Sequence, residues 1–370
     1  MIRILHLADL HLGWDPPWDD IASERRTERD QRLRLAVDWA LANEIDLVLI
    51  VGDLFETHRP DAALVRAVLE DLARLVRHGV QLVTVPGNHD EISYHDSVYR
   101  AYAPEWPGVL VTAPELSRAA SLRTRGGVVH VDSLAYTAGV TRAGEPLARF
   151  PKGGEAGVHI VAIHGSLDWN PGDRSVPIDR RALAGAGYHY AALGHIHQHR
   201  VVQGRFPIVY PGMIDGKGFD DPGTGRYTVA TVDESGATVR QVDAGGRRIV
   251  ALEEDAGAYE SLEQLAEACA RALQPGDIAR LRLVGTPAYS VDTAWLSSRL
   301  QDRCRRLFVD DRTQGAPLHA LEAAAGEPTL RGLFAARMLD RLKGASGREA
   351  RVIGRAAALG LAALERERSQ

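Results

Sequence analysis

Five short polar motifs, each placed where an apolar run ends, constrain this chain more than any other feature. They are Ala8-Asp9-Leu10-His11, Gly52-Asp53-Leu54-Phe55, Gly87-Asn88-His89-Asp90, His164-Gly165 and Gly194-His195-Ile196-His197. The runs before them, residues 2–7, 45–51, 80–85, 158–163 and 189–193, are short and rich in Val, Ile and Leu, as buried strands are. Residues 22–43, with Leu33, Val37 and Leu41 at helical spacing, and residues 61–77 read as helices between the first three. Alternating strands and helices with polar loops at the carboxyl ends of the strands describe an α/β layer, and those loops are where such layers place chemistry.

The residue types in the loops are metal ligands. Residues i and i+2 of an extended segment point the same way, so Asp9 and His11 can converge on one ion, as can His195 and His197. The Asp53 carboxylate, with two oxygens, can bridge two cations; Asn88 offers an amide oxygen and His164 an imidazole. Such a mixed donor set suits Mn²⁺, Fe²⁺ or Zn²⁺ better than Ca²⁺ or an all-oxygen Mg²⁺ site. Two divalent ions about 3.5–4 Å apart can clamp a phosphate and activate a water; Mn²⁺ is the ion expected here. HxH or GNHD alone would be a weak signal, but five motifs in order, each closing a strand, form a strong one.

Residues 109–243 are β-rich, with runs at 128–135 and 226–233, which predicts two sheets packed face to face with helices outside. After Gly245-Gly246 the pattern changes to helix (261–273), strand (279–284), helix (293–304) and strand (306–310), a small α/β domain. The low-complexity stretch 320–326 then separates off a helical hairpin. Leu330, Phe334, Met338 and Leu342 mark one arm, and Val352, Ala356, Leu359 and Ala363 the other, across a turn at 344–347. The predicted domains are therefore 1–245, 246–320 and 327–370.

No apolar stretch approaches the roughly 20 residues needed to span a bilayer. A cleaved leader would remove Asp9 and His11, so none is expected. Two cysteines, Cys269 and Cys304, are too few for a disulfide framework and point to two unreactive thiols in a reducing cytoplasm. The net charge of −5 advertises no nucleic-acid partner, although bound cations would reverse the field locally. Arg25, Arg29 and Arg32 share a helical face beside Arg26, but Glu24 and Glu28 intervene, and a solvated, salt-bridged face is the default. Residues 328–370 hold nine Lys/Arg against four acids, a net of +5, and their apolar stripes need a surface to cover.

ADLH, GDLF, GNHD, HG and GHIH, in this order and spacing, resemble the calcineurin-like metallophosphoesterases. The ADLHLG start and the GDLFxxxRP form from Gly52 to Pro60 resemble the SbcD branch, the bacterial counterpart of the Mre double-strand-break nucleases. The small domain and terminal helices follow that branch's order of a capping domain and an ATPase-binding hairpin. The resemblance implies a four-layer fold of two packed sheets flanked by helices. It also implies that Asp53 bridges two metals, with Asp9, His11 and His197 completing one and Asn88, His164 and His195 the other. His89 would contact the phosphate and protonate the leaving oxygen, Asp90 would orient His89, and the nucleophile would be a metal-activated water. It further implies cleavage of DNA at its ends, an SbcC-type coiled-coil ATPase bound through the hairpin, and a homodimer.

One position departs from the template: some members carry a histidine three residues after the bridging aspartate, where this chain has Glu56. His58 and Arg59 are candidate substrate contacts, a loop role for His58 standing beside that one. Tyr94 and His95, just beyond GNHD, are further candidates for touching substrate. His6 is expected to be buried and hydrogen-bonded, His78 to close a helix, and His199 to face solvent. A phosphatase or small-molecule phosphodiesterase shares all five motifs. A non-catalytic DNA-end or ATPase scaffold is the reading of another class.

Overall fold

The computed structural model describes residues 1–18, 20–139, 146–151, 154–287, 289, 291–313, 317–345 and 347–367 of the 370. They form two compact units, Met1–Gly246 and Arg247–Gln370.

The first unit is built on two sheets. In one, β1 (Ile2–Leu7), β2 (Leu47–Val51), β3 (Gln81–Val85) and β4 (Val109–Leu110) run parallel, with β12 (Arg226–Asp233) and β13 (Gly236–Asp243) antiparallel beyond β1. In the other the order is β10 (Arg200–Val202), β11 (Ile208–Tyr210), β9 (Tyr190–Gly194), β7 (Val158–Ser166), β6 (Gly127–Ser133) and β5 (Ser117–Thr124), with β8 (Val176–Pro177) paired to β7. The central strands are Val/Ile/Leu runs because both their faces are buried. Leu49 and Val51 of one sheet share a core with Val129, Val131, Ile160 and Ala162 of the other, so the sheets pack face to face. The outer face of the first sheet is covered by α2 (Arg32–Ala42) and α3 (Ala62–Arg77) through Leu33, Val37, Val65 and Leu72; α4 (Arg180–Ala184) adds Leu183 to the outer core of the second.

Several elements differ from their sequence readings. The helix expected over 22–43 is two, α1 (Ala22–Asp30) and α2, divided at Gln31. The missed strands β5 (SRAASLRT) and β13 (GATVRQVD) are sheet edges, half-exposed and poor in large apolar residues. Arg25, Arg29 and Arg32 overturn the expectation of a solvated face. All three are buried, whereas Arg26 is exposed and pairs with Asp15. The Arg29 guanidinium donates to the carbonyls of Leu10 (3.2 Å), Asp215 (2.7 Å) and Gly216 (2.8 Å), while Arg25 pairs with the Asp215 carboxylate at 3.1 Å. Buried cations persist because these oxygens satisfy them.

The second unit carries a parallel sheet of β14 (Ile249–Asp255), β15 (Ile278–Val284) and β16 (Arg306–Asp311), packed by α5 (Leu262–Ala272) and α6 (Thr293–Leu300). The stretch over 320–326 is not a separator. It lies mostly in a helix, α7 (Pro317–Ala325), whose Leu321 and Ala324 share a core with α8 (Leu330–Lys343) and α9 (Gly347–Glu367). The terminal element is thus a three-helix cluster. Gly360 permits it, since a Cβ there would lie 2.1 Å from the Phe334 ring. On α9 the buried face is Ile353, Ala357 and Leu361, while Val352, Ala356, Leu359 and Ala363 of the expected stripe are exposed. Ser346 and Arg368 lie outside the described residues, as do the side chains of Arg348, Arg351, Arg355, Glu365, Arg366 and Glu367.

Candidate metal centre

The five motifs meet at the carboxyl ends of β1, β2, β3, β7 and β9, and their backbones are strained to do so. Five non-glycine residues among those described have a left-handed φ, and four of them are Asp9 (56°), His11 (49°), Asp53 (51°) and His195 (96°). Each such residue costs of order 1–3 kcal/mol, a strain that clusters at functional sites. The glycines supply room. A Cβ on Gly52 (φ 85°) would lie 2.0 Å from His164 Nδ1, and one on Gly87 would lie 2.2 Å from Asp53 Oδ1.

Asp53 is central. Its Oδ2 lies 3.4 Å from His164 Nε2 and 3.8 Å from His11 Nε2, while its Oδ1 accepts from the His89 backbone N–H at 2.8 Å. On one side, His11 Nε2 faces His197 Nε2 at 3.3 Å, and His197 Nε2 is 4.0 Å from Asp9 Oδ1. On the other, Asn88 Oδ1 lies 3.0 Å from His164 Nε2 and 3.1 Å from His195 Nδ1. All seven expected ligands are therefore brought together.

The donors fit cations on chemical grounds. His164 Nδ1 sits 2.9 Å from the Val51 carbonyl and must carry a proton to bond it, so in the neutral ring Nε2 is an acceptor. It nevertheless faces two further acceptors, Asn88 Oδ1 and Asp53 Oδ2. Either a proton or a metal ion resolves that conflict. Two imidazole nitrogens bound at about 2.0–2.1 Å to one ion stand roughly 3–3.5 Å apart, which matches His11 and His197. The groups Asp9, His11, His197 and Asp9, Asp53, His164 each bring their donor atoms within 4.8 Å of one another.

Electrostatics agrees with the geometry. Burial opposes ionisation of Asp53, yet His164, with His11 and His89 beyond it, holds the carboxyl well below its usual range. Burial alone would lower His164, but Asp53 and Asp9 raise it to about 9. Burial lowers His11 and His195 to about 4, leaving neutral rings able to ligate.

Asp90 does not orient His89. Its Oδ1 accepts from Gly87 N–H at 2.7 Å, and its Oδ2 from Phe55 N–H (3.1 Å) and Tyr99 O–H (2.7 Å). It is fully buried and joins the GDLF and GNHD loops; burial, then the Asp53 charge, raises it to about 6. The His89 ring is set by Glu56, whose carbonyl oxygen lies 3.0 Å from Nδ1 and whose carboxylate lies 3.7 Å away. The ring is a third exposed and abuts His11, at 4.7 Å between centroids.

Of the outer groups, sequence reasoning marked Glu56 only as a departure from the template and did not find Lys217 or Asp221. Glu56 Oε2 lies 2.8 Å from His11 Nδ1 and accepts from Lys217 Nζ at 2.7 Å, and Asp221 Oδ2 lies 2.5 Å from His197 Nδ1. His58 stacks on Tyr94 (4.1 Å) and faces Asp96 at 3.7 Å, while exposed Arg59 pairs with Asp96 at 3.2 Å. Arg59 also lines a cleft of about 480 Å³ with Glu56 and Arg26. His95 is exposed. His6 is buried and bonds Tyr190 O–H at 2.9 Å, His78 meets the Arg74 carbonyl, and His199 is half-buried near Thr228.

Loops at the ends of paired sheets thus gather carboxylate, imidazole and amide donors suited to divalent cations. The model of the family described as calcineurin-like phosphoesterase matches residues 2–199, and the chain belongs to that family. It is 26% identical over 243 residues to an uncharacterized metallophosphoesterase, YhaO, of Bacillus subtilis (62% of this chain, 57% of that one). It is 27% identical over 236 residues to the DNA double-strand break repair protein Mre11 of Aeropyrum pernix (58% and 54%). It is 23% identical over 273 residues to the SbcD component of the SbcCD nuclease of Escherichia coli (61% and 64%). The chain thus spans 54–64% of the length of these relatives. No helix among the described residues is long and apolar enough to cross a membrane.

Proposed function

We propose that this chain is a two-metal DNA nuclease that hydrolyses phosphodiester bonds at DNA ends, the catalytic subunit of an SbcC–SbcD-like complex. The observation that carries the reading is the convergence of six further ligand residues around Asp53, with the half-open imidazole of His89 beside them. Relatives named as a DNA double-strand break repair protein and as a subunit of a nuclease support the substrate class.

Cations held by these donors, Mn²⁺ in this reading, would neutralise charge on the phosphate and assist attack by water. His89, its Nδ1–H steadied by the Glu56 carbonyl, presents Nε2 to the substrate; in the imidazolium form, with a second proton on Nε2, it would pass that proton to the leaving oxygen. Asp90 keeps the loop that carries His89 locked to the loop that carries Asp53. Arg59, which lines the adjoining cleft, and its sequence neighbour His58, stacked on Tyr94, contact the DNA strand.

Residues 246–320 form the cap, and the helices over 327–370 dock the coiled-coil ATPase. Support for the docking surface comes from Leu330, Leu333, Val352 and Leu359, each more than half exposed on α8 and α9. Two exposed apolar side chains on each of these helices, at spacings that keep them on one face of each, are what a partner surface would cover. The protein acts as a homodimer.

Degradation of linear DNA in Mn²⁺, lost in His89→Ala, is the expected result. Turnover of phosphomonoesters or cyclic nucleotides without DNA cleavage would replace the reading with a small-substrate esterase. Absence of any phosphodiester hydrolysis would leave a scaffold. Deleting 327–370 is expected to abolish ATPase association while sparing metal-dependent cleavage of short DNA.

A further inference from the structure

The two halves of the metal centre are backed differently. On the Asp9 side, both imidazoles turn their rear nitrogens toward carboxylates. His197 Nδ1 is hydrogen-bonded to Asp221 Oδ2 at 2.5 Å, and His11 Nδ1 lies 2.8 Å from Glu56 Oε2. One lysine ties these acids together. Lys217 donates its backbone N–H to the Asp221 carbonyl (2.9 Å) and its ammonium to Glu56 (2.7 Å). On the Asn88 side, His164 backs onto the neutral Val51 carbonyl. Among the described residues, neither the His164 nor the His195 imidazole forms an ion pair with an acid other than Asp53, and it is the backbone N–H of His195, not its ring, that bonds the Asp9 carboxylate.

A carboxylate behind a ligating imidazole fixes its tautomer and raises its basicity, and losing such a partner costs roughly 10–100-fold in metal affinity. The Asp9 side also owns one ligand charge that the Asn88 side lacks. Resting on the ligand assignment above, we infer that Glu56 and Asp221 are positioning residues that make the Asp9–His11–His197 position the tighter of the two, so that it fills first. The position where the chain departs from its family template thereby has a role in metal retention. Lys217 holds Glu56 in place, and the Glu56 carbonyl also orients His89, so the first ion and the proton donor are set by the same residue.

Calorimetric titration of chelator-stripped full-length protein with Mn²⁺ alone tests this. The wild type is expected to bind in two resolved steps. Glu56→Gln and Asp221→Asn should each weaken the tighter step by roughly 10–100-fold and leave the weaker one in place. The two residues stand on different loops, so a folding defect in one variant, visible by circular dichroism, leaves the other to decide. Unchanged titrations, or equal weakening of both steps in both variants, overturn the inference while the ligand assignment stands. Wild-type protein that binds no Mn²⁺ overturns the assignment itself. DNA cleavage enters neither outcome.

Discussion

Replacing Arg29 by methionine tests whether the charged face of α1 is an internal strut. The guanidinium lies 4.5 Å over the Trp14 ring and bonds the carbonyls of Leu10, Asp215 and Gly216. In the variant the Gly216 oxygen keeps a donor, Arg25 Nη2 at 3.2 Å, whereas the Leu10 and Asp215 oxygens lose theirs. A buried acceptor stripped of its donor costs about 1–3 kcal/mol, so two cost about 4 kcal/mol together. Methionine fills most of the vacated volume, which keeps the cavity contribution small. The measurement is guanidinium denaturation in chelator, with Arg26→Met as control. Arg26 is exposed on the same helix, and its loss should stay within about 0.5 kcal/mol. Because Leu10 stands between Asp9 and His11, Mn²⁺ affinity should fall at Arg29→Met and hold at Arg26→Met. Equal losses in the two variants, or a loss at Arg29 below about 1 kcal/mol, would refute the burial argument.

Burial holds His6 at about 3, against an ordinary 6.5. Its folded-state value is depressed, so its contribution to stability is complete above pH 6.5 and drains as pH falls toward 3. By about pH 5 the loss is roughly 2 kcal/mol, and His6→Gln should flatten the difference between denaturation at about pH 7 and pH 5. An unchanged slope would reject it. Gly52→Ala should drive its new Cβ into His164 and lower Mn²⁺ stoichiometry from two, by calorimetry; full occupancy would count against the geometry. Burial pushes the Cys269 thiol up to about 12 and raises Cys304 as well. Neither should react with a disulfide reagent in native buffer, and both should react in denaturant; rapid native labelling would contradict their burial.

What the sequence disclosed and what it withheld divide along physical lines. Strands buried on both faces announce themselves as apolar runs, so β1, β2, β3, β7 and β9 were legible, and with them the loops at their ends. Edge strands such as β5 and β13 carry half-exposed polar residues that no period distinguishes from a loop. Helical spacing placed Arg25, Arg29 and Arg32 on one face but could not give that face a direction. What turns it inward is a set of carbonyls around residues 215–216, nearly two hundred positions away. The stripe on α9 failed for a related reason. Two apolar faces one residue out of step, at 352–359 and 353–361, are both plausible until a third helix covers one of them.

The same reasoning explains Glu56. A search for ligand motifs reads it as a missing histidine, because such patterns encode the groups that touch metal and not those that touch the ligands. Its meaning depends on Lys217, which only the folded chain brings within 2.7 Å. Burial alone would raise the Glu56 carboxyl, yet His11 and Lys217 bring it down to about 2. It therefore remains an anion through the range in which His11, held at about 4, changes charge. A histidine at this position could reach toward phosphate but could not supply a permanent negative charge behind His11. On the inference drawn above, the substitution would exchange a contact with substrate for a firmer hold on the first metal and leave orientation of the phosphate to His89.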